Sequence, residues 1–132
     1  MTGPRAVITR MLRGLLWLIA AGIVVQFFLA GLFNFGEPDA RDTHESVGWM
    51  VHTAGMVALL LAIAGPRTRW AILGTVGLVV LNTVQIMLST SDTSGVAALH
   101  PTLGLAVLAT VLLLAVRIRP GEPARADVTE PR

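Results

Sequence analysis

Four apolar stretches, each about as long as a bilayer is thick, leave this chain few folds to choose from. They run over roughly 11–34, 46–65, 70–89 and 96–116 of the 132 residues. About 20 helical residues cross a hydrocarbon core. A segment in lipid must satisfy its own backbone N–H and C=O groups, so each stretch reads as a helix; four strands cannot close a barrel. Only 14% of the residues are charged, where a soluble domain carries about a quarter. Short connections make consecutive helices antiparallel neighbours. The expected fold is therefore an all-α integral membrane four-helix bundle, up-down-up-down, over residues 1–119. The Pro-, Ala- and charge-rich segment 120–132 is expected to be a disordered cytoplasmic tail.

The charges orient it. All ten basic residues are Arg. Arg5 and Arg10 precede the first stretch and Arg13 lies at its start, Arg67 and Arg69 separate the second and third, and Arg117, Arg119, Arg125 and Arg132 follow the fourth. The other two connections hold only Arg41 among Glu37, Asp39, Asp42, Glu45 and Asp92. The positive-inside rule then expects both termini in the cytoplasm, in a bacterial inner membrane. The high pI reflects Arg without Lys, Cys or Tyr, and the net charge is only +2. No nucleic-acid site is read from it; the arginines set topology and meet anionic lipid. The first stretch is too long for a cleaved signal peptide and is kept as helix 1.

Within this frame one pattern occurs twice. Gln26 is followed by His44 and Gly48, and Gln85 by His100 and Gly104, each copy ending in His-x-x-x-Gly at the head of the next span. Both halves start on the same side, so they read as parallel repeats about an axis along the membrane normal. In a square bundle the second and fourth helices are diagonal, which would turn His44 and His100 toward one central volume. Haem iron takes two axial nitrogens from opposite sides of a flat ring, and bundle cores supply such pairs. Gly48 and Gly104 share a helix face with their histidines, leaving room for a macrocycle. Gln26 and Gln85, on the other diagonal, could hydrogen-bond an imidazole N–H, a haem propionate or each other, or act simply as interhelical glue. The plainer reading of the histidines is that they face headgroup water. Only three histidines are present; the third, His52, lies two turns below His44 and reads as a packed or hydrogen-bonded core residue, or as an alternative ligand. Its repeat counterpart is Leu108. Thr43 is the expected cap of helix 2, with Ser46 as a later alternative. Trp17, Trp49 and Trp70 read as interfacial anchors. Without Cys there are no disulfides or thiolate sites, and no four-ligand zinc set is visible.

The stretches Val25-Gln26-Phe27-Phe28-Leu29-Ala30-Gly31, Thr43-His44-Glu45-Ser46-Val47-Gly48, Val84-Gln85-Ile86-Met87-Leu88 and Ala98-Leu99-His100-Pro101 resemble one four-helix half of haem A synthase, the cytochrome-oxidase assembly family. By that resemblance, over roughly residues 11–116, His44 and His100 would be the axial pair. The family's acidic residue three positions before the second-span His is Arg41 here, its outer-loop cysteines are absent, and only one half is present. The resemblance therefore implies haem binding and not methyl oxidation. The chain also resembles small four-span bacterial membrane proteins with no assigned role.

The resulting expectation is a membrane protein holding one b-type haem, with His44 and His100 as metal ligands and Gly48, Gly104, Gln26 and Gln85 around it, used in electron transfer or haem handling without turnover of its own. Its expected partners are the lipid bilayer and a redox partner or quinone, in a homodimer or a membrane complex. The alternatives are a cofactor-free structural or accessory subunit, and a small proton-coupled carrier using the three histidines.

Overall fold

The computed structural model describes residues 3–119; the tail expectation for 120–132 falls outside them. The described chain contains α1 (Pro4–Asn34), α2 (Ala40–Ala64), α3 (Arg69–Ser89), the single turn α4 (Ser94–Ala97) and α5 (Leu99–Arg117). It has no strands among these residues. α1, α2, α3 and the combined segment Ser94–Arg117 are each long and apolar enough to cross a membrane.

Two helices begin well before their apolar stretches. α1 starts at Pro4 rather than near residue 11, with the proline at a first-turn position, where its missing N–H costs nothing. α2 starts at Ala40 rather than near 46 and absorbs much of the expected acidic loop. A helix satisfies its own backbone inside lipid or outside it, so the end of the apolar run does not mark the end of the helix. Thr43 accordingly sits inside α2, whose cap position is Asp39, and that residue makes no side-chain capping bond. The added turn carries an exposed Arg41–Glu45 ion pair at 3.1 Å, an i,i+4 pair.

The helix ends follow local chemistry. α1 closes with the Glu37 N–H on the Leu32 carbonyl, around Gly36 at φ 108°, a left-handed position that suits glycine. α2 ends at Gly65-Pro66, and the Arg67 N–H reaches back to the Ala62 carbonyl. Arg67 adopts φ 52° to make the turn into α3.

The helices form a ring: α1 packs on α2 and α5, and α3 packs on the same two. α2 and α5 therefore lie across one diagonal, α1 and α3 across the other. The contacts pair Gln26 with His44, Gly22 with Val51, and Ile8 with Gly65 along α1 and α2. The core combines Leu12, Leu16, Ile19 and Ile23 of α1 with Ala58 and Ala62 of α2, Ala71 and Leu78 of α3, and Val107, Val111 and Leu114 of α5. Small residues bring backbones close where lipid offers no solvent-exclusion force. Gly22 is such a place: a Cβ there would lie 2.9 Å from a Val51 methyl group. Leu18, Leu60, Leu73 and Leu105 point outward and are more than half exposed, an apolar coat that suits lipid and not water.

Candidate functional site

At the end of the bundle opposite the arginine-rich turns, the two copies of the repeated motif meet. The His44 ring nitrogen Nδ1 lies 3.1 Å from the main-chain carbonyl of Gln26. The His100 Nδ1 lies 2.8 Å from the main-chain carbonyl of Gln85. A carbonyl oxygen only accepts, so each Nδ1 carries its proton and donates it. In a neutral imidazole this leaves Nε2 with the free lone pair. The carbonyls have a second lone pair to offer beyond their own helical bond. Two histidines from diagonal helices are thus anchored alike, each by the neighbouring helix that carries its Gln. Their ring centres are 6.1 Å apart and their planes cross at 68°. Both rings are partly buried.

The glutamine side chains sit elsewhere than on the imidazoles. A Cβ added to Gly48 would meet the Gln26 amide nitrogen at 2.7 Å, and one added to Gly104 would meet that of Gln85 at 3.3 Å. The amide of each Gln therefore lies over the glycine one turn below its histidine, and occupies the space that the sequence reading reserved for a macrocycle. Phe27 also packs on Gly104, at 3.3 Å from such a Cβ. The side-chain oxygen of Gln26 is buried without a hydrogen-bond partner. A buried polar atom left unpaired costs free energy comparable to a lost hydrogen bond, which makes it an acceptor awaiting a donor.

His52 belongs to a different arrangement. The Asn82 side-chain nitrogen lies 3.3 Å from its Nδ1. With that amide donating, His52 holds its lone pair on Nδ1 and its proton on Nε2, the reverse of the other two histidines. The Trp49 ring stands edge-on to it, centres 6.0 Å apart. The repeat-related positions are Ile23, in the apolar core, and Leu108, packed against it, so the polar pair exists in one half only. Asn82 was not singled out in the sequence; the signal was available, since it and Gln85, one helical turn on, are the two carboxamides of the third apolar run. Among the described residues no group of three or more His, Asp or Glu side chains converges, so the histidine pair is not part of a larger protein-only ligand set.

Fold and site together define a class: a four-helix bundle, every helix long and apolar enough to span a bilayer, with a twofold-repeated histidine anchor at one end. Residues 26–91 match the profile of DUF6220, a family of unknown function, and the chain belongs to that family. The matched stretch contains Gln26, His44, Gly48, Asn82 and Gln85 and stops short of His100. No curated protein and no solved structure matches the chain, so the likeness to haem A synthase rests on the short motifs alone.

Proposed function

We propose that this protein is a four-span, up-down-up-down component of a bacterial inner membrane, both termini cytoplasmic, that holds one b-type haem between His44 and His100 near the outer face. One observation carries the reading: in both repeats Nδ1 is tied to a backbone carbonyl, and the two rings stand 6.1 Å apart. Metal-ligating histidines almost always donate their other ring N–H in this way, which sets tautomer, orientation and basicity. A metal–nitrogen bond of about 2 Å on each side, plus roughly 1 Å from nitrogen to ring centre, puts the centres of an axial imidazole pair about 6 Å apart. The unpaired Gln26 oxygen and the two glycines fit the edge of such a site.

The haem would supply a one-electron couple, and the protein would orient and bury it and tune its potential through ligands and surroundings. Entry of the macrocycle requires the Gln26 and Gln85 amides to swing off Gly48 and Gly104; both are the far ends of flexible side chains. With His44 and His100 both holding it, the group would serve electron transfer to a redox protein or quinone, or haem handling, rather than oxygen activation.

A second reading draws on the same amides. Because they already fill the space over both glycines, a cofactor-free accessory subunit would be closed without any added group. An absorption spectrum of protein purified from haem-supplemented cells separates the two. A sharp Soret band with resolved α and β bands on reduction is expected. His44→Ala and His100→Ala should each abolish the low-spin spectrum, and His52→Ala should leave it. A colourless protein, or a spectrum retained in both of the first two variants, removes the haem assignment and leaves the accessory reading.

A further inference from the structure

The opposite end of the bundle holds a second polar feature that the histidine site does not use. A cavity of about 500 Å³ opens between the starts of α1 and α3 and the end of α5. Its wall carries Arg5, Arg117 and Arg119, with Thr68, Trp70 and Ile118 between them. Among the described residues no carboxylate lines it. Among the described residues the one ion pair, Arg41–Glu45, lies at the other end of α2. Three arginines, from the start of α1, the end of α5 and the residues just after it, thus line one recess. Thr68 stands at the cap position of α3 and makes no side-chain capping bond, so its hydroxyl adds a neutral donor to the same wall.

We propose that this recess binds a net-negative phosphate headgroup. Guanidinium groups match phosphate oxygens by charge and by paired N–H geometry. Basic pockets between spanning helices are where anionic lipid headgroups are held. The recess also has an apolar side, Trp70 and Ile118, of which Trp70 is 43% exposed. An indole at that level suits the boundary between headgroup and acyl chain. The chemistry is that of a phosphate, and its source is either an anionic phospholipid or free phosphate.

The test uses the full chain in a neutral detergent, titrated with a short-chain phosphatidylglycerol, the matching phosphatidylcholine and inorganic phosphate. The readouts are the thermal unfolding midpoint and lipid adducts in native mass spectrometry. Phosphatidylglycerol should raise the midpoint and add one retained adduct, at clearly lower concentration than phosphatidylcholine. Arg117→Gln should weaken phosphatidylglycerol binding about fivefold, and Arg117→Gln with Arg119→Gln roughly twentyfold or more. Arg117→Lys keeps the charge and should retain most of the binding; it also serves as the folded control if the double variant loses helix content. A midpoint rise with inorganic phosphate alone identifies free phosphate as the ligand, and a rise with phosphatidylglycerol alone identifies lipid. Equal binding of the two lipids by the natural protein overturns the proposal, as does an undiminished phosphatidylglycerol preference in folded arginine variants.

Discussion

The two ends of this bundle are built on opposite principles. Inward of the arginine-lined recess the interior is close-packed: Leu12, Leu16, Ala58, Ala62, Ala71, Thr75, Val111 and Ala115 are fully buried. Even the one polar member, Thr75, spends its hydroxyl on carbonyls of its own helix. Toward the histidine end, the inward-facing residues Gln26, His44, Gln85 and His100 are only partly buried and are tied across helices by polar contacts. The packed half specifies the bundle through volume; the histidine half positions donors through hydrogen bonds, and one acceptor there is left over. Separation of this kind lets a site keep adjustable groups while the neighbouring half supplies the stability.

The contrast can be tested by mutation, beginning with the largest effect. Leu16→Ala should destabilise the protein by about 2–5 kcal/mol, toward the low end if the bundle sits in lipid, where a core loses contacts more than solvent exclusion. His44→Ala, in protein purified without added haem, should cost only about 0.5–1.5 kcal/mol, one net hydrogen bond. Denaturant titration in micelles measures both, and the reverse order would remove the distinction between the halves.

Two glycines sharpen the point. At Gly65 a Cβ would lie 2.9 Å from an Ile8 methyl, 3.0 Å from the Leu61 carbonyl and 3.3 Å from the Thr9 nitrogen, two of them backbone atoms. Gly65→Ala should therefore cost about 1–3 kcal/mol as overpacking. At Gly77, in the middle of α3, nothing lies within 4 Å, and Gly77→Ala should stabilise the helix by roughly 0.5–1 kcal/mol. Opposite shifts of the unfolding midpoint are expected from one chemical change.

Asn82→Leu removes the partner of His52 and approaches the apolar pairing of the other repeat. Interhelical bonds of this kind average about 0.6 kcal/mol, so a small loss is expected, together with a changed His52 nitrogen chemical shift. A loss of several kcal/mol would place this pair in the stability-bearing set. The smallest stability effect is expected for Gly48→Ala. Its Cβ collides only with the mobile end of the Gln26 side chain, so the amide should swing away at under about 1 kcal/mol, with His44 still held by the Gln26 carbonyl. Exchange-protected His44 ring N–H signals in both proteins would show that retention, and their loss in the variant would mean that the amide, not the carbonyl, supports the ring.

Much of this was legible in one dimension. Mean hydropathy and run length marked the four helices long and apolar enough to cross a membrane, and the repeat marked His44, His100, Gln26, Gln85, Gly48 and Gly104, which the structure brings to one end. Two things were misplaced. The starts of α1 and α2 were set by the apolar pattern, although Pro4 and the Arg41–Glu45 turn extend the helices past it. The glutamines were expected to act through their side chains, yet the atom that meets each imidazole is the main-chain carbonyl. Every residue has such a carbonyl, so no residue type announces it.

The sequence by itself determined how many apolar helices there are, which connections are basic, and which rare polar residues recur. Each of these is a property of single residues or of their spacing along the chain. The tertiary structure alone decided that α2 and α5 lie across a diagonal, that two imidazoles stand 6.1 Å apart, that the glutamine amides cover the glycines, and that Asn82 pairs with His52. These depend on the rotation and axial offset of one helix against the next. Those offsets come from close packing at places such as Gly22 on Val51 and Gly74 on Leu114, where many small contacts act together and no single residue carries the answer.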